Sequence, residues 1–177
     1  MVNDEVVFRA ILALDSYNRG YKPKIEGGLG GKGSKIGHLE VIKESNIETE
    51  GGQASPERNA SFYAVAYKDT TTDEIIISYR GTDNILDDIW TGWSSGTGTY
   101  RTPQAKFAAE FYNSVIIEQS PYSPSPDVSF TGHSLGGGLS GLMAGLYGKE
   151  ATIFNNMPFE LAVANVYDAS VPDNPLA

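Results

Sequence analysis

The chain has 177 residues, enough for one domain with a sizeable core and too few for two ordinary ones. Its 13 basic and 22 acidic residues leave a net charge of −9, the wrong sign for neutralising phosphates, so nucleic acid is not an expected partner. The absence of cysteine excludes disulfides, thiolate catalysis and zinc–sulfur sites, and no apolar run approaches the roughly 20 residues that span a bilayer.

The N-terminal Met1-Val2-Asn3-Asp4-Glu5 is acidic and is not followed by the basic start and apolar run of a secretory signal, so the compartment stays open. Residues 3–18 read as an amphipathic helix capped by Asn3 or Asp4, with Val7, Ile11 and Leu14 at helical spacing, ended by Gly20. Residues 20–37 read as a glycine-rich loop, Leu39–Lys43 as a strand, and the stretch to Asn59 as polar loop. Ser61–Lys68 and Glu74–Arg80 are strong strand signals joined by an Asp69–Asp73 turn, and the run Ile75-Ile76-Ile77 predicts a strand covered on both faces. Residues 84–102 are irregular and hold both tryptophans. Pro103 opens a helix reaching about Glu118 with Phe107, Phe111, Tyr112 and Val115 inward. Val128–Thr131 reads as a strand, Leu135–Tyr147 as a helix, Ala151–Phe154 as a strand and Phe159–Tyr167 as a last short helix. Strand, strand, helix, strand, helix, strand is the order of an α/β sheet with helices on its faces.

The chemistry is concentrated at Gly132-His133-Ser134-Leu135-Gly136, a Gly-x-Ser-x-Gly between a strand and a helix. A serine on such a sharp turn projects its hydroxyl above the sheet. Side chains two positions away on either side would collide with the turn, and the helix behind it aims its first amides at the site. With 20 glycines in the chain, chance matches are a real risk, and Gly92-Trp93-Ser94-Ser95-Gly96 is one. It lacks both the preceding strand and the following helix, so Ser134 is the expected nucleophile. Acyl transfer also needs two donors for the developing oxyanion. The N–H of Leu135 is the first, and the N–H of Thr82, after the strand ending Tyr79-Arg80-Gly81, is the second.

Tyr79-Arg80-Gly81-Thr82-Asp83 with Asp88, and Gly132-His133-Ser134-Leu135-Gly136-Gly137 about fifty residues later, resemble the class 3 lipases of the α/β-hydrolase fold. The resemblance runs from about Ser61 to Phe159. It implies an α/β-hydrolase-like domain, with a mostly parallel sheet and helices on both faces, acting on carboxylic esters such as acylglycerols or phospholipids. Ser134 would be its nucleophile, Thr82 and Leu135 its oxyanion donors, and 84–102 its lid. Asn155-Asn156-Met157-Pro158 only loosely matches the family's Gly-x-Pro, and the helix from Pro103 lacks the family's histidine-containing start.

A serine hydroxyl needs a base, and in this fold the acid and then the histidine follow the nucleophile. No histidine follows Ser134; the two in the chain are His38 and His133. His133 belongs to the elbow, where a packed or hydrogen-bonded role is expected. His38 precedes the first strand and is a weak base candidate. Asp173 is a weak acid candidate and Asp168 a weaker one. The gap predicts that the 177 residues are the N-terminal part of a longer single domain lacking its last strands, so that Ala151–Phe154 is an open sheet edge able to pair with a second copy. A lipase-like binding module without turnover is the competing expectation.

Other signals are weaker. Gly28-Leu29-Gly30-Gly31-Lys32-Gly33 fits a dinucleotide fingerprint but follows a helix and precedes a strand, the reverse of the required context. Asp83, Asp87 and Asp88 lack calcium-loop spacing, and Asn59-Ala60-Ser61 is only a formal glycosylation acceptor. No cofactor and no metal is expected. Trp90 and Trp93, with Tyr100, are expected to line the acyl site and make transient contact with a lipid interface.

Overall fold

A computed structural model describes residues 4–19, 31–81, 102–119 and 126–158. The expectations for 84–100, Thr82, Asp168, Asp173 and Phe159–Tyr167 lie outside those residues. The first helix, α1 (Asp4–Asp15), continues into a 3-10 turn at Ser16–Asn18. Then come β1 (Lys35–Ile36), β2 (Leu39–Glu44), the single-turn α2 (Pro56–Asn59), β3 (Ala64–Asp69) and β4 (Ile75–Tyr79). The second half holds α3 (Pro103–Gln119), β5 (Val128–His133), α4 (Leu135–Tyr147) and β6 (Glu150–Phe154). β1 falls inside the stretch expected to be loop, and α2 inside the polar loop, where Ser55 caps it by accepting from Arg58 N–H.

The six strands form one sheet in chain order, β1 to β6. β1 to β4 pair antiparallel, and β4, β5 and β6 pair parallel, so β2, β4, β5 and β6 all run one way. The fold is α/β-hydrolase-like, with helices on both faces. Among the described residues no helix is long and apolar enough to cross a membrane.

The Ile75–Ile77 run is covered on both faces, as expected. Ile75 and Ile77 join Tyr79, Phe130, Phe111, Leu139 and Met143 under α3 and α4. Ile76 turns the other way, to Val65, Tyr67 and Leu12 under α1.

The face of α1 differs from expectation. Val7, Ile11 and Leu14 are 44%, 40% and 57% exposed, whereas Arg9, Leu12, Ala13 and Asp15 are buried. The reason lies in the sheet beneath, which presents hydroxyls as well as carbon. Ser78 Oγ donates to Leu12 O at 3.0 Å, Thr131 Oγ1 donates to Arg9 O at 3.1 Å, and the Arg9 guanidinium bonds Ser129 Oγ and, at 2.7 Å, Glu74. A helix over buried hydroxyls is docked by its polar partners, because an unpaired buried hydroxyl costs more than an exposed valine. Replacing Arg9 with Met removes the cation from Glu74, which keeps only the hydrogen bond that Ser129 Oγ donates to it at 2.5 Å. Glu74 keeps a quarter of its side chain in water, so the expected loss is about 2 kcal/mol, below the range for fully buried pairs. Urea denaturation should show it, with part of the loss recovered by adding Glu74→Gln.

Candidate active site

β4 and β5 run parallel in register, Tyr79 opposite Gly132, and both end at the same edge of the sheet. There β5 turns abruptly into α4 through Ser134, whose backbone sits at φ 56, ψ −125, a region that non-glycine residues avoid. The turn is clamped on both sides: Ser134 N–H donates to Phe154 O and Met157 N–H donates to Ser134 O, each at 3.1 Å. These bonds to β6 and the loop after it hold the serine in a conformation it would otherwise leave. Its side chain makes no cap hydrogen bond and is half-exposed.

The flanking glycines are required by space. A Cβ on Gly132 would lie 2.4 Å from the Gly136 carbonyl, and one on Gly136 would lie 2.0 Å from Tyr79 O. That second approach brings the start of α4 against the end of β4, where the chain leaves through Arg80 and Gly81. Gly81 is also seated beside the elbow, since a Cβ there would meet His133 O at 2.9 Å. Leu135 is buried at the first position of α4, where no preceding helical carbonyl exists to take its N–H.

Tyr17, in the 3-10 turn after α1, was not legible as a site residue. Its hydroxyl lies 3.2 Å from His133 Nδ1 and donates to His133 O at 3.3 Å. A Cβ on Gly81 would come within 2.1 Å of that same hydroxyl. Tyr17 thus braces the histidine ring, the elbow backbone and the Gly81 exit together. Nothing in its spacing marks it, because the contact spans 116 residues.

The structure does not bring His38 to this site. Leu39 pairs with Asp69 at the end of the sheet where β4 begins, and Ser134 lies past the end of β5. The separation is at least a five-residue strand, roughly 17 Å. Instead, His38 Nε2 lies 3.3 Å from Asp69 Oδ2. Asp69 is a turn anchor. Burial pushes its pKa up, but the Thr71 hydroxyl at 2.6 Å and the Thr71 and Thr72 amides at 2.7 and 3.2 Å outweigh that, and the net direction is below the ordinary 3.8. A folded value below the unfolded one adds stability above that ordinary value, which is lost as pH falls through the folded value. Asp69→Asn is accordingly expected to cost about 1 kcal/mol at neutral pH, and thermal melts of mutant and wild type should converge below pH 3.8.

A strained serine at the carboxyl end of parallel strands, on a helix start packed against the neighbouring strand's exit, defines a lipase-like α/β-hydrolase. More narrowly, residues 10–160 match the phospholipase-like Tle-like phospholipase domain, and the chain belongs to that family. No curated protein sequence matches it. Among solved structures it is similar to the LIP2 lipase of Yarrowia lipolytica, with 21% identity over 86% of this chain and 58% of that one and a TM-score of 0.49. It is also similar to a Rhizomucor miehei lipase propeptide complex (18% identity, 93% and 57% of the chains, TM-score 0.48). Lipase II from Rhizopus niveus is a further match (16% identity, 82% and 56%, TM-score 0.49). The chain spans a little over half the length of these lipases.

Proposed function

We propose that this domain cleaves carboxylic esters of lipids, phospholipids being the class its family points to, with Ser134 as nucleophile. The observation that carries the reading is the positive φ of Ser134 between glycines whose places no side chain can take. Such strain persists where it serves a site. The Ser134 hydroxyl attacks the ester carbonyl while its proton passes to a base. The resulting oxyanion accepts from the N–H groups of Leu135 and Thr82, the alcohol leaves with the proton, and water then resolves the acyl-enzyme. The sequence contains two histidines; His38 sits at the wrong end of the sheet and the ring of His133 is engaged by Tyr17. We infer that neither histidine serves as the base, so that the isolated chain acylates slowly, with Asp173 kept as the acid candidate. Among the described residues β6 is the last strand of the sheet and borders the elbow, and this is where a second copy would add. Trp90 and Trp93 are proposed to contact the acyl chain and the lipid interface.

The experiment is labelling with a fluorophosphonate, mapped by mass spectrometry. Slow modification of Ser134 and not Ser94, accelerated by free imidazole standing in for the base, is the expected result. A folded chain that stays unlabelled in imidazole is a binding module.

A further inference from the structure

A concavity of about 700 Å³ opens between β2 and α3. One wall is a single face of α3, because Phe107, Glu110, Phe111, Ser114 and Glu118 recur at three- and four-residue spacing. The other wall is Ile42 and Glu44 of β2 with the following turn. Glu44 pairs with Val65, Val65 with Ser78, and Ser78 with Thr131. The groove thus stands three strand spacings, roughly 14 Å, from the strand that carries Ser134. It is a separate place on the molecule.

Its chemistry is divided. The floor is apolar, formed by Ile42, Ile47, Phe62, Phe107 and Phe111, with the Phe62 and Phe107 rings 5.9 Å apart. The rim is acidic: Glu44, Glu48, Glu57, Glu110 and Glu118 face Lys32 and Lys43. Lys43 is taken up by Glu118, and Glu44 accepts from Tyr63 at 2.6 Å. Glu57 has no ion pair among the described residues, and the Glu110 pair with Lys106 is 3.7 Å long with both side chains more than half exposed. Exposed pairs of that length are worth little, so at least two carboxylates keep their field for a ligand. Five carboxylates against Lys32 and Lys43 leave the rim net negative, which favours a cation over an anion, and an uncharged apolar molecule would leave the free carboxylates unanswered.

We propose that this groove binds an amphipathic ammonium, whose apolar body lies on the phenylalanine floor and whose cation meets Glu57 and Glu110. The volume suits a small molecule, and the partly buried Phe107 adds an aromatic ring to the lining, a group to which a quaternary ammonium is attracted. The site does not depend on hydrolysis at Ser134. Two sources share this chemistry, the headgroup of a choline or ethanolamine lipid and a free alkylammonium.

Calorimetry on the Ser134→Ala protein with octyltrimethylammonium, below its micelle concentration, is expected to give one binding site. Octyl sulfate of the same chain length should not bind. In the same protein, Glu57→Gln with Glu110→Gln should weaken the ammonium roughly tenfold while leaving the circular dichroism melt in place. Equal affinity for the sulfate, no ammonium binding, or an affinity unmoved by the double substitution each overturns the proposal. Co-sedimentation with phosphatidylcholine but not phosphatidylglycerol vesicles, lost in the doubly substituted protein, assigns the ligand to a lipid headgroup. Binding of the free amphiphile without vesicle binding assigns it to a soluble amine.

Discussion

Gly136→Ala is expected to unfold the domain at temperatures where the wild type is fully native. Two effects oppose each other. Alanine is the better helix former, and in an exposed turn the exchange would gain roughly 0.5–1 kcal/mol. Here, however, the new Cβ would sit 2.0 Å from Tyr79 O, 2.8 Å from Tyr79 C and 2.9 Å from Arg80 C. All three are backbone atoms at the end of a central, fully buried strand, so none can rotate away. Relief would require α4 to lift from β4 by an ångström or more, opening the layer that buries Leu139, Leu142 and Met143. Overpacking of this kind costs about 3 kcal/mol or more, several times the propensity gain. For a chain of this size that is a fall in melting temperature of roughly 10 °C. Gly51→Ala is the control, having nothing within 4 Å of its added Cβ. A Gly136→Ala melt within 2 °C of wild type (roughly the resolution of such a comparison) would mean that the helix does not approach the strand end this closely. The elbow would then lose its structural basis.

The elbow was legible because its cause is local. The glycines at 132 and 136, the apolar strand before and the small-residue helix after all lie within twenty consecutive residues, and each answers a steric demand of the same turn. Ile75–Ile77 was legible for a similar reason, since three consecutive apolar residues can be buried only if both sheet faces are covered. The face of α1 was not. Val7, Ile11 and Leu14 make the better apolar stripe, yet burial follows Arg9 and Leu12, because the choice is made by Ser78, Ser129 and Thr131 on strands more than sixty residues away. Tyr17 escaped for the same reason, and so did the groove, whose two walls are contributed by segments about sixty residues apart in sequence. Periodicity reports that an element has faces. Which face wins is decided by what lies opposite, and that pairing is not written in either segment alone.

Ser134→Gly should leave the protein more stable and chemically inert, while Ser134→Ala should leave it equally inert without the gain in stability. The argument separates the side chain's two roles. At φ 56 and ψ −125 any residue with a Cβ pays a conformational cost of about 1–3 kcal/mol. Alanine keeps that Cβ, and the Oγ it removes makes no cap hydrogen bond, so its stability should stay within about 0.5 kcal/mol of wild type. Glycine removes the strain at the expense of about 0.5–1 kcal/mol of extra freedom in the unfolded chain, leaving a net gain near 1 kcal/mol. Both substitutions delete the nucleophile, so fluorophosphonate incorporation at this position should fall to background in each. Urea midpoints rank the three proteins, and mass spectrometry reads the label. A glycine variant less stable than the alanine variant would show that the turn stores no strain, since relief of the backbone is the only advantage glycine has here. Label that persists in the alanine variant would move the nucleophile elsewhere. If both outcomes are as expected, the domain keeps at this residue a side chain that lowers its own stability, and the hydroxyl is what it keeps it for.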